Sequence, residues 1–123
     1  MNDPAPLVLI VDDDESIREF IAMALEDEGY RTATATNGQV ALEVMRHAPP
    51  DVILLDMRMP VMDGWEFARA YRAQIASSAP IIVMTAALDA AVSSAEIDAQ
   101  GYLAKPFALD DLIALVRSFA GGA

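Results

Sequence analysis

Cysteine is absent from this chain of 123 residues, and basic residues are scarce. Without thiols the chain can form neither disulfides nor thiolate metal sites. Its 8 lysines and arginines stand against 19 aspartates and glutamates, which gives a formal net charge of −11. A surface this acidic argues against direct binding of DNA or RNA, because phosphate backbones require a basic surface. The charge balance instead favours a cation site and basic or neutral protein partners.

Long apolar runs are also missing. No run approaches the roughly 18 residues of a membrane span. The first residues, Met1-Asn2-Asp3-Pro4, lack the basic region and apolar core of a signal peptide. We therefore expect a soluble, cytoplasmic protein with no membrane contact. The length and the ordinary globular composition predict one domain with a substantial hydrophobic core.

Short apolar runs, by contrast, are prominent, and they predict strands. Leu7–Val11, Val52–Leu55 and Ile81–Met84 are compact enough to be strands buried on both faces of a sheet. Arg31–Ala35, with its two threonines, predicts an edge strand. Gly101–Ala104 predicts a short fifth strand.

Helical periodicity fills the intervals between these strands. In the first helix, apolar residues recur at the spacing of one helix face, so we expect Ile17, Phe20 and Ile21 to face inward. Asp14 can cap this helix, and Ser16 with Glu19 offers an alternative capping box. The predicted helices cover residues 14–28, 37–47, 65–75, 89–99 and 108–119, with Gly29 ending the first and Gly121-Gly122 the last.

Five strands alternating with five helices, with no internal linker, predict an α/β fold. The expected architecture is a doubly wound parallel sheet with helices on both faces and right-handed connections. In such sheets the carboxyl ends of the strands share one edge, and ligands bind there.

Polar residues stand where the predicted strands end: Asp12 and Asp13, Asp56, Thr85 and Lys105. Three neighbouring carboxylates repel one another unless a cation is present. Oxygen ligands favour a hard ion, Mg²⁺ or Mn²⁺. Lys105 and Thr85 could contact phosphoryl oxygens as a positive charge and a hydroxyl donor. Asp56 is then a candidate nucleophile, because carboxylates form aspartyl phosphates.

Each of these residues alone has an ordinary structural explanation. An acidic pair after a strand usually begins a helix, a lysine before proline usually lies in a turn, and Asp56 could be a helix cap. The combination, in which each of these groups lies at the end of its own strand in the same sheet, has no comparable structural explanation.

The sequence resembles the receiver domain of two-component response regulators over about residues 7–119. The resemblance implies a flavodoxin-like receiver fold with strand order 2-1-3-4-5, and a single receiver domain over residues 1–123. Its motifs are Val11-Asp12-Asp13, Leu55-Asp56-Met57-Arg58-Met59-Pro60 with Asp63-Gly64, Thr85-Ala86, and Tyr102-Leu103-Ala104-Lys105-Pro106-Phe107.

The resemblance also implies roles for individual residues. Asp56 matches the phosphoacceptor, and the Mg²⁺ ligands would be Asp12, Asp13, Asp56 and the backbone carbonyl of Arg58. Thr85 and Lys105 match the residues that contact the phosphoryl group. Tyr102 matches an aromatic switch that turns inward when Thr85 moves toward that group. The Lys105-Pro106 bond matches a peptide bond that is commonly cis.

The implied function is acceptance of a phosphoryl group from a histidine kinase or a histidine phosphotransfer protein, followed by binding of an unidentified protein target. We expect a monomer that can dimerise on phosphorylation. Mg²⁺ is the expected cofactor, and a receiver domain is not a conventional enzyme. The chain could serve as a diffusible messenger, as a relay intermediate or as part of a longer regulator.

Two features depart from the usual family pattern. Lys105 follows Thr85 by 20 positions, slightly fewer than usual, and the shortening falls in the fourth helix. The positions that tune phosphoryl lifetime in the family hold Arg58 and Ala87.

Other functions fit less well. A receiver-like module that signals without phosphorylation would not need the complete set of polar residues. An aspartate-nucleophile phosphohydrolase usually has a second acid where this chain has Arg58, and no glycine-rich loop follows the first strand, as a nucleotide binder would require. Met57, Met59 and Met62 could form a contact surface or pack in the core. His47 and Trp65 receive no functional role, and packing is the expected role of Trp65.

Overall fold

The computed structural model describes residues 4–75 and 79–121. Met1 to Asp3 and Gly122 lie outside the described residues. The first were part of the segment in which no signal peptide was expected, and Gly122 was part of the predicted end of the last helix. In chain order the elements are β1 (Leu7–Val11), α1 (Glu15–Asp27), β2 (Arg31–Ala35), α2 (Gly38–His47), β3 (Val52–Asp56), α3 (Gly64–Gln74), β4 (Ile81–Ala86), α4 (Ala87–Glu96), β5 (Gly101–Lys105) and α5 (Leu109–Ala120).

The strands form one parallel sheet in the order β2-β1-β3-β4-β5. This order confirms the α/β prediction and the topology that the resemblance implied. The apolar runs of β1 and β3 are buried along their whole length because helices cover both faces of the sheet. β2, with its exposed and half-buried residues, lies at the edge as predicted.

Two apolar clusters, one on each face, hold the helices against the sheet. On one face Ile21 of α1 and Leu112 of α5 pack with side chains of β1 and β3. On the other, Leu42 of α2 and Phe67 of α3 pack with the alternate side chains of the same strands, and Ile97 after α4 joins them. The alternation follows from the two-residue period of a strand.

The predicted inward face of α1 was partly wrong. Ile21 and Leu25 are fully buried and Ile17 is half-buried, but Phe20 is 54% exposed. Phe20 lies at the margin of the apolar stripe and lines an open groove of about 520 Å³ between α1 and the segment Lys105–Phe107. Asp14, not the Ser16 box, caps the helix, since its carboxylate accepts a hydrogen bond from the N–H of Ile17.

The region around α4 also differs from the prediction. β4 continues through Thr85 to Ala86, and α4 begins two residues earlier and ends three residues earlier than predicted. No side chain caps its N-terminus, so the sequence carries no start signal there. Its end is set by Asp98, whose φ of 52° is left-handed and cannot continue a right-handed helix.

Candidate functional site

Three carboxylates converge at the carboxyl edge of the sheet. Asp12 and Asp13 follow β1, and Asp56 is the last residue of β3, the adjacent strand. One oxygen from each of the three lies within 4.8 Å of the other two. Asp12 and Asp56 are buried, and Asp13 is exposed. Together these oxygens could ligate one hard cation.

Local hydrogen bonds hold Asp12 in place. Its Oδ1 accepts from the N–H of Asp14 at 2.9 Å, and its own N–H donates to the carbonyl of Ala35 at 3.1 Å. Arg18 of α1 donates to the Asp12 carbonyl at 2.7 Å. Asp12 is therefore fixed to β2 and α1 as well as to β1.

Lys105, the last residue of β5, is the cation of the site. Its Nζ lies 2.7 Å from Oδ2 of Asp12 and 3.8 Å from Oδ1 of Asp56. The peptide bond from Lys105 to Pro106 is cis, as the resemblance implied. The Lys105 ammonium thus contacts both buried carboxylates and lies closer to that of Asp12.

Asp56 has a perturbed acidity. The pKa of its carboxyl is raised from 3.8 to about 6, chiefly by burial and in addition by the negative charges of Asp12 and Asp13. The positive charge of Lys105 and a hydrogen bond from the backbone N–H of Arg58 lower the pKa and offset part of this effect. Asp56 therefore lies in surroundings that favour partners able to neutralise its charge.

Thr85 is buried in β4, one residue beyond Met84, the register partner of Asp56. Side chains alternate along a strand, so Thr85 lies on the face of Val83, whereas Asp56 lies on the opposite face with Leu54. In the part of the chain that the structure describes, no hydrogen bond joins the Thr85 hydroxyl to Asp56.

Tyr102 lies on β5 opposite Val83 and is 49% exposed. Its ring therefore points away from the core in this structure. Met57 is fully buried in the core cluster of α2 and α3, so of the two alternatives left open for it core packing is the one observed. Met59 and Met62 are half-buried and pack against the same cluster.

The contacts of Trp65 with Arg58 and α4 were not predicted from the sequence. Arg58 lies over its ring, with the guanidinium carbon 5.6 Å from the ring centre, and Trp65 donates to Glu96 of α4 at 3.2 Å. Arg58 also pairs with Asp89 of α4 at 3.5 Å. The available signal was that β3 and β4 are neighbours, so that the segments following them must lie side by side.

A family model for the response regulator receiver domain matches residues 8–117. The chain belongs to this family. Over 113 residues, 90% of this chain, this receiver domain is 39% identical to "DNA-binding response regulator MtrA" of Mycolicibacterium paratuberculosis, of which the match covers 49%. It is 44% identical, over 113 residues, to "DNA-binding transcriptional regulator NtrC" of Escherichia coli, of which the match covers 24%.

A solved structure leads to the same assignment. The chemotaxis protein CheY4 of Vibrio cholerae aligns with a TM-score of 0.83 at 35% identity, covering 94% of this chain and 98% of that one. The receiver domain thus spans about half the length of the MtrA relative and nearly all of CheY4. Among the described residues, no helix has the length and apolar character needed to cross a membrane.

Proposed function

We propose that this receiver domain accepts a phosphoryl group on Asp56 in a Mg²⁺-dependent transfer from a phosphohistidine. The observation that supports this most directly is the position of Asp56. It is a buried carboxylate beside two further acids and within 3.8 Å of the Lys105 ammonium. A carboxylate that only capped a helix would have no need for a cation and two acids around it.

The transfer is a substitution at phosphorus. An oxygen of Asp56 forms a bond to the phosphorus, the bond from phosphorus to the donor nitrogen breaks, and its electron pair returns to the imidazole. Lys105 would neutralise charge on the phosphoryl oxygens, and Thr85 would donate to one of them from the adjacent strand. Tyr102 would respond to the movement of Thr85.

The acidic cluster is suited to the metal that this family implies. Asp12, Asp13, Asp56 and the backbone carbonyl of Arg58 would hold Mg²⁺, or Mn²⁺ in its place, since all are hard oxygen ligands. When bound, the ion supplies positive charge near the phosphoryl oxygens. Its charge would also favour the ionised form of Asp56.

A histidine kinase or histidine phosphotransfer protein is the donor we propose, with a protein target downstream. For this acidic chain we propose no direct contact with nucleic acid, although MtrA and NtrC are described as DNA-binding. Those proteins are much longer than the segment they share with it. We further propose a single receiver domain in the cytoplasm, monomeric and able to dimerise on phosphorylation.

The test is to incubate the protein with Mg²⁺ and acetyl phosphate and to measure its intact mass. We expect wild type to gain one phosphoryl group that is stable in acid and lost in base, and Asp56→Asn to gain none. If the wild type gains no adduct under these conditions, the phosphoacceptor function is wrong. The alternative, a receiver-like interaction module that signals without phosphorylation, would then be favoured.

A further inference from the structure

The side chain of Arg58 lies outside the carboxylate cluster, between two helices. Its Nη2 is 3.5 Å from Oδ2 of Asp89 in the first turn of α4. Its guanidinium also lies over Trp65 near the start of α3, and Trp65 donates to Glu96 at the end of α4. Arg58 and Trp65 therefore connect the segment after Asp56 with both ends of α4.

The backbone of Arg58 lies directly beside Asp56. Its N–H donates a hydrogen bond to the Asp56 carboxylate, so its long side chain begins next to the proposed phosphoryl acceptor. A guanidinium is suited to phosphoryl oxygens because its planar N–H groups can donate two parallel hydrogen bonds. Arg58 can thus approach a phosphoryl group on Asp56 by rotating its side chain.

The contact that holds Arg58 away is a weak one. The side chains of Arg58 and Asp89 are 69% and 41% exposed, and exposed ion pairs contribute little because water screens them. A phosphoryl group carries more negative charge than a carboxylate and offers three strong acceptor oxygens. It would compete well with Asp89 for the same guanidinium.

We propose that Asp89 is a positioning residue that acts through Arg58. It holds the guanidinium on α4 while Asp56 is free, and it loses the guanidinium to the phosphoryl oxygens once Asp56 is phosphorylated. This inference rests on the proposed phosphoacceptor function. Phosphorylation would in this way remove one of the contacts between the β3–α3 segment and the N-terminus of α4.

The exchange affects how long the phosphoryl group persists. In hydrolysis, a water oxygen bonds to phosphorus, the bond from phosphorus to the Asp56 oxygen breaks, and its electron pair stays on the carboxylate. The protons of the water leave with inorganic phosphate. Arg58 on the phosphoryl oxygens stabilises the phosphorylated state and limits the approach of water, so competition from Asp89 shortens its lifetime.

The experiment follows the loss of the phosphoryl group by intact mass after removal of acetyl phosphate, with Mg²⁺ present. In Asp89→Asn we expect a lifetime about two- to fivefold longer than in wild type, the range that an exposed ion pair can supply. Asp89→Glu, which keeps the charge, should restore a lifetime close to that of wild type. In an Arg58→Ala background, Asp89→Asn should have no effect.

Asp110→Asn is the matched control. Asp110 is an exposed acid in the first turn of α5, as Asp89 is in α4, and within the described ranges it has no ion pair. Its lifetime should equal that of wild type. Trp65 fluorescence gives a second readout, because withdrawal of the guanidinium from the ring should change the emission on phosphorylation in wild type but not in Arg58→Ala.

The outcomes separate this inference from the function on which it rests. A wild type that never acquires the phosphoryl group overturns both. A labelled wild type whose lifetime equals that of Asp89→Asn overturns the role of Asp89 alone. A longer lifetime that persists in the Arg58→Ala background also overturns it, because Asp89 would then act through another contact.

Discussion

At the scale of single residues, Asp56 shows how the fold and the proposed chemistry oppose each other. Burial favours the neutral carboxyl, whereas a nucleophile and metal ligand must be ionised. Lys105 offsets this only in part, because its Nζ is 2.7 Å from Asp12 but 3.8 Å from Asp56. Lys105 therefore neutralises Asp56 less than it neutralises Asp12. A cation bound at the site would have its most favourable new charge interaction with Asp56.

This opposition predicts a pH dependence of stability in the metal-free protein. The pKa of Asp56 is raised to about 6 from 3.8, so the folded state binds its proton more tightly than the unfolded state does. The stabilising contribution is fully present below pH 3.8 and is lost as the pH rises through about 6. The loss should be about 3 kcal/mol or less, given 1.36 kcal/mol per pKa unit. Urea denaturation in EDTA across this range measures it.

Asp56→Asn is the control for that measurement, since it keeps the shape of the side chain and removes the proton. The difference in unfolding free energy between wild type and Asp56→Asn should change with pH between about 4 and 6 and be flat above. Parallel pH profiles for the two proteins would show that Asp56 is not perturbed.

At the scale of elements, the junction between β3 and α3 sets the geometry of the site. Asp63 caps α3 by accepting from the N–H of Glu66 at 2.9 Å, and Glu66 accepts from the N–H of Asp63 at 3.2 Å. This capping box fixes the start of the helix. Gly64 then passes so close to the chain that a Cβ would lie 2.8 Å from the Cα of Met57 and 3.0 Å from the Asp56 carbonyl oxygen.

Gly64→Ala should therefore destabilise the protein although alanine is the better helix former. The added methyl group meets backbone that cannot move away without shifting the end of β3. We expect a loss of about 1–3 kcal/mol, typical of overpacking. Urea denaturation of the variant measures the change.

Gly101→Ala serves as the comparison, because a Cβ there would meet side chains and no backbone, the nearest being the edge of the Phe119 ring at 3.4 Å. That ring is partly exposed and can shift. An equal loss in both variants would mean that the close approach at Gly64 is not the cause.

At the scale of the whole molecule, the acidic cluster connects β1 and β3, two neighbouring interior strands of the sheet. Asp12 and Asp13 extend β1, and Asp56 ends β3, which pairs with it. In the metal-free state their mutual repulsion opposes the packing of these strands. A ligand that binds only the folded arrangement stabilises the entire fold.

Mg²⁺ should accordingly raise the free energy of unfolding at pH 8, by about 2.7 kcal/mol at a hundredfold excess over its Kd. The gain should be smaller at pH 5, where Asp56 is largely protonated. Asp13→Ala should lose most of this gain, and Asp27→Ala, at the far end of α1, should keep it. Thermal melts with and without Mg²⁺ would contradict the ligand assignment if Asp13→Ala responded as wild type does.

Much of the fold was predictable because its signals are local. The runs Leu7–Val11 and Val52–Leu55 are too short and too apolar for anything but buried strands. α4 was predicted less well, since it is rich in alanine and serine and only Ala90, Ser93 and Ser94 are buried within it. The helix begins directly after β4 without a side-chain cap, and it ends before Asp98, whose backbone is in the left-handed conformation. Neither feature has a clear sequence signature.

The sequence by itself determined the alternation of strands and helices and the polar residues at the ends of four strands, because periodicity and strand direction are properties of the chain. Only the tertiary structure decided that Lys105 lies closer to Asp12 than to Asp56, and that Arg58 lies against Asp89 and Trp65. These contacts depend on how neighbouring helices and loops are placed on the sheet. That placement results from packing of the two apolar clusters, which no local pattern of residues records.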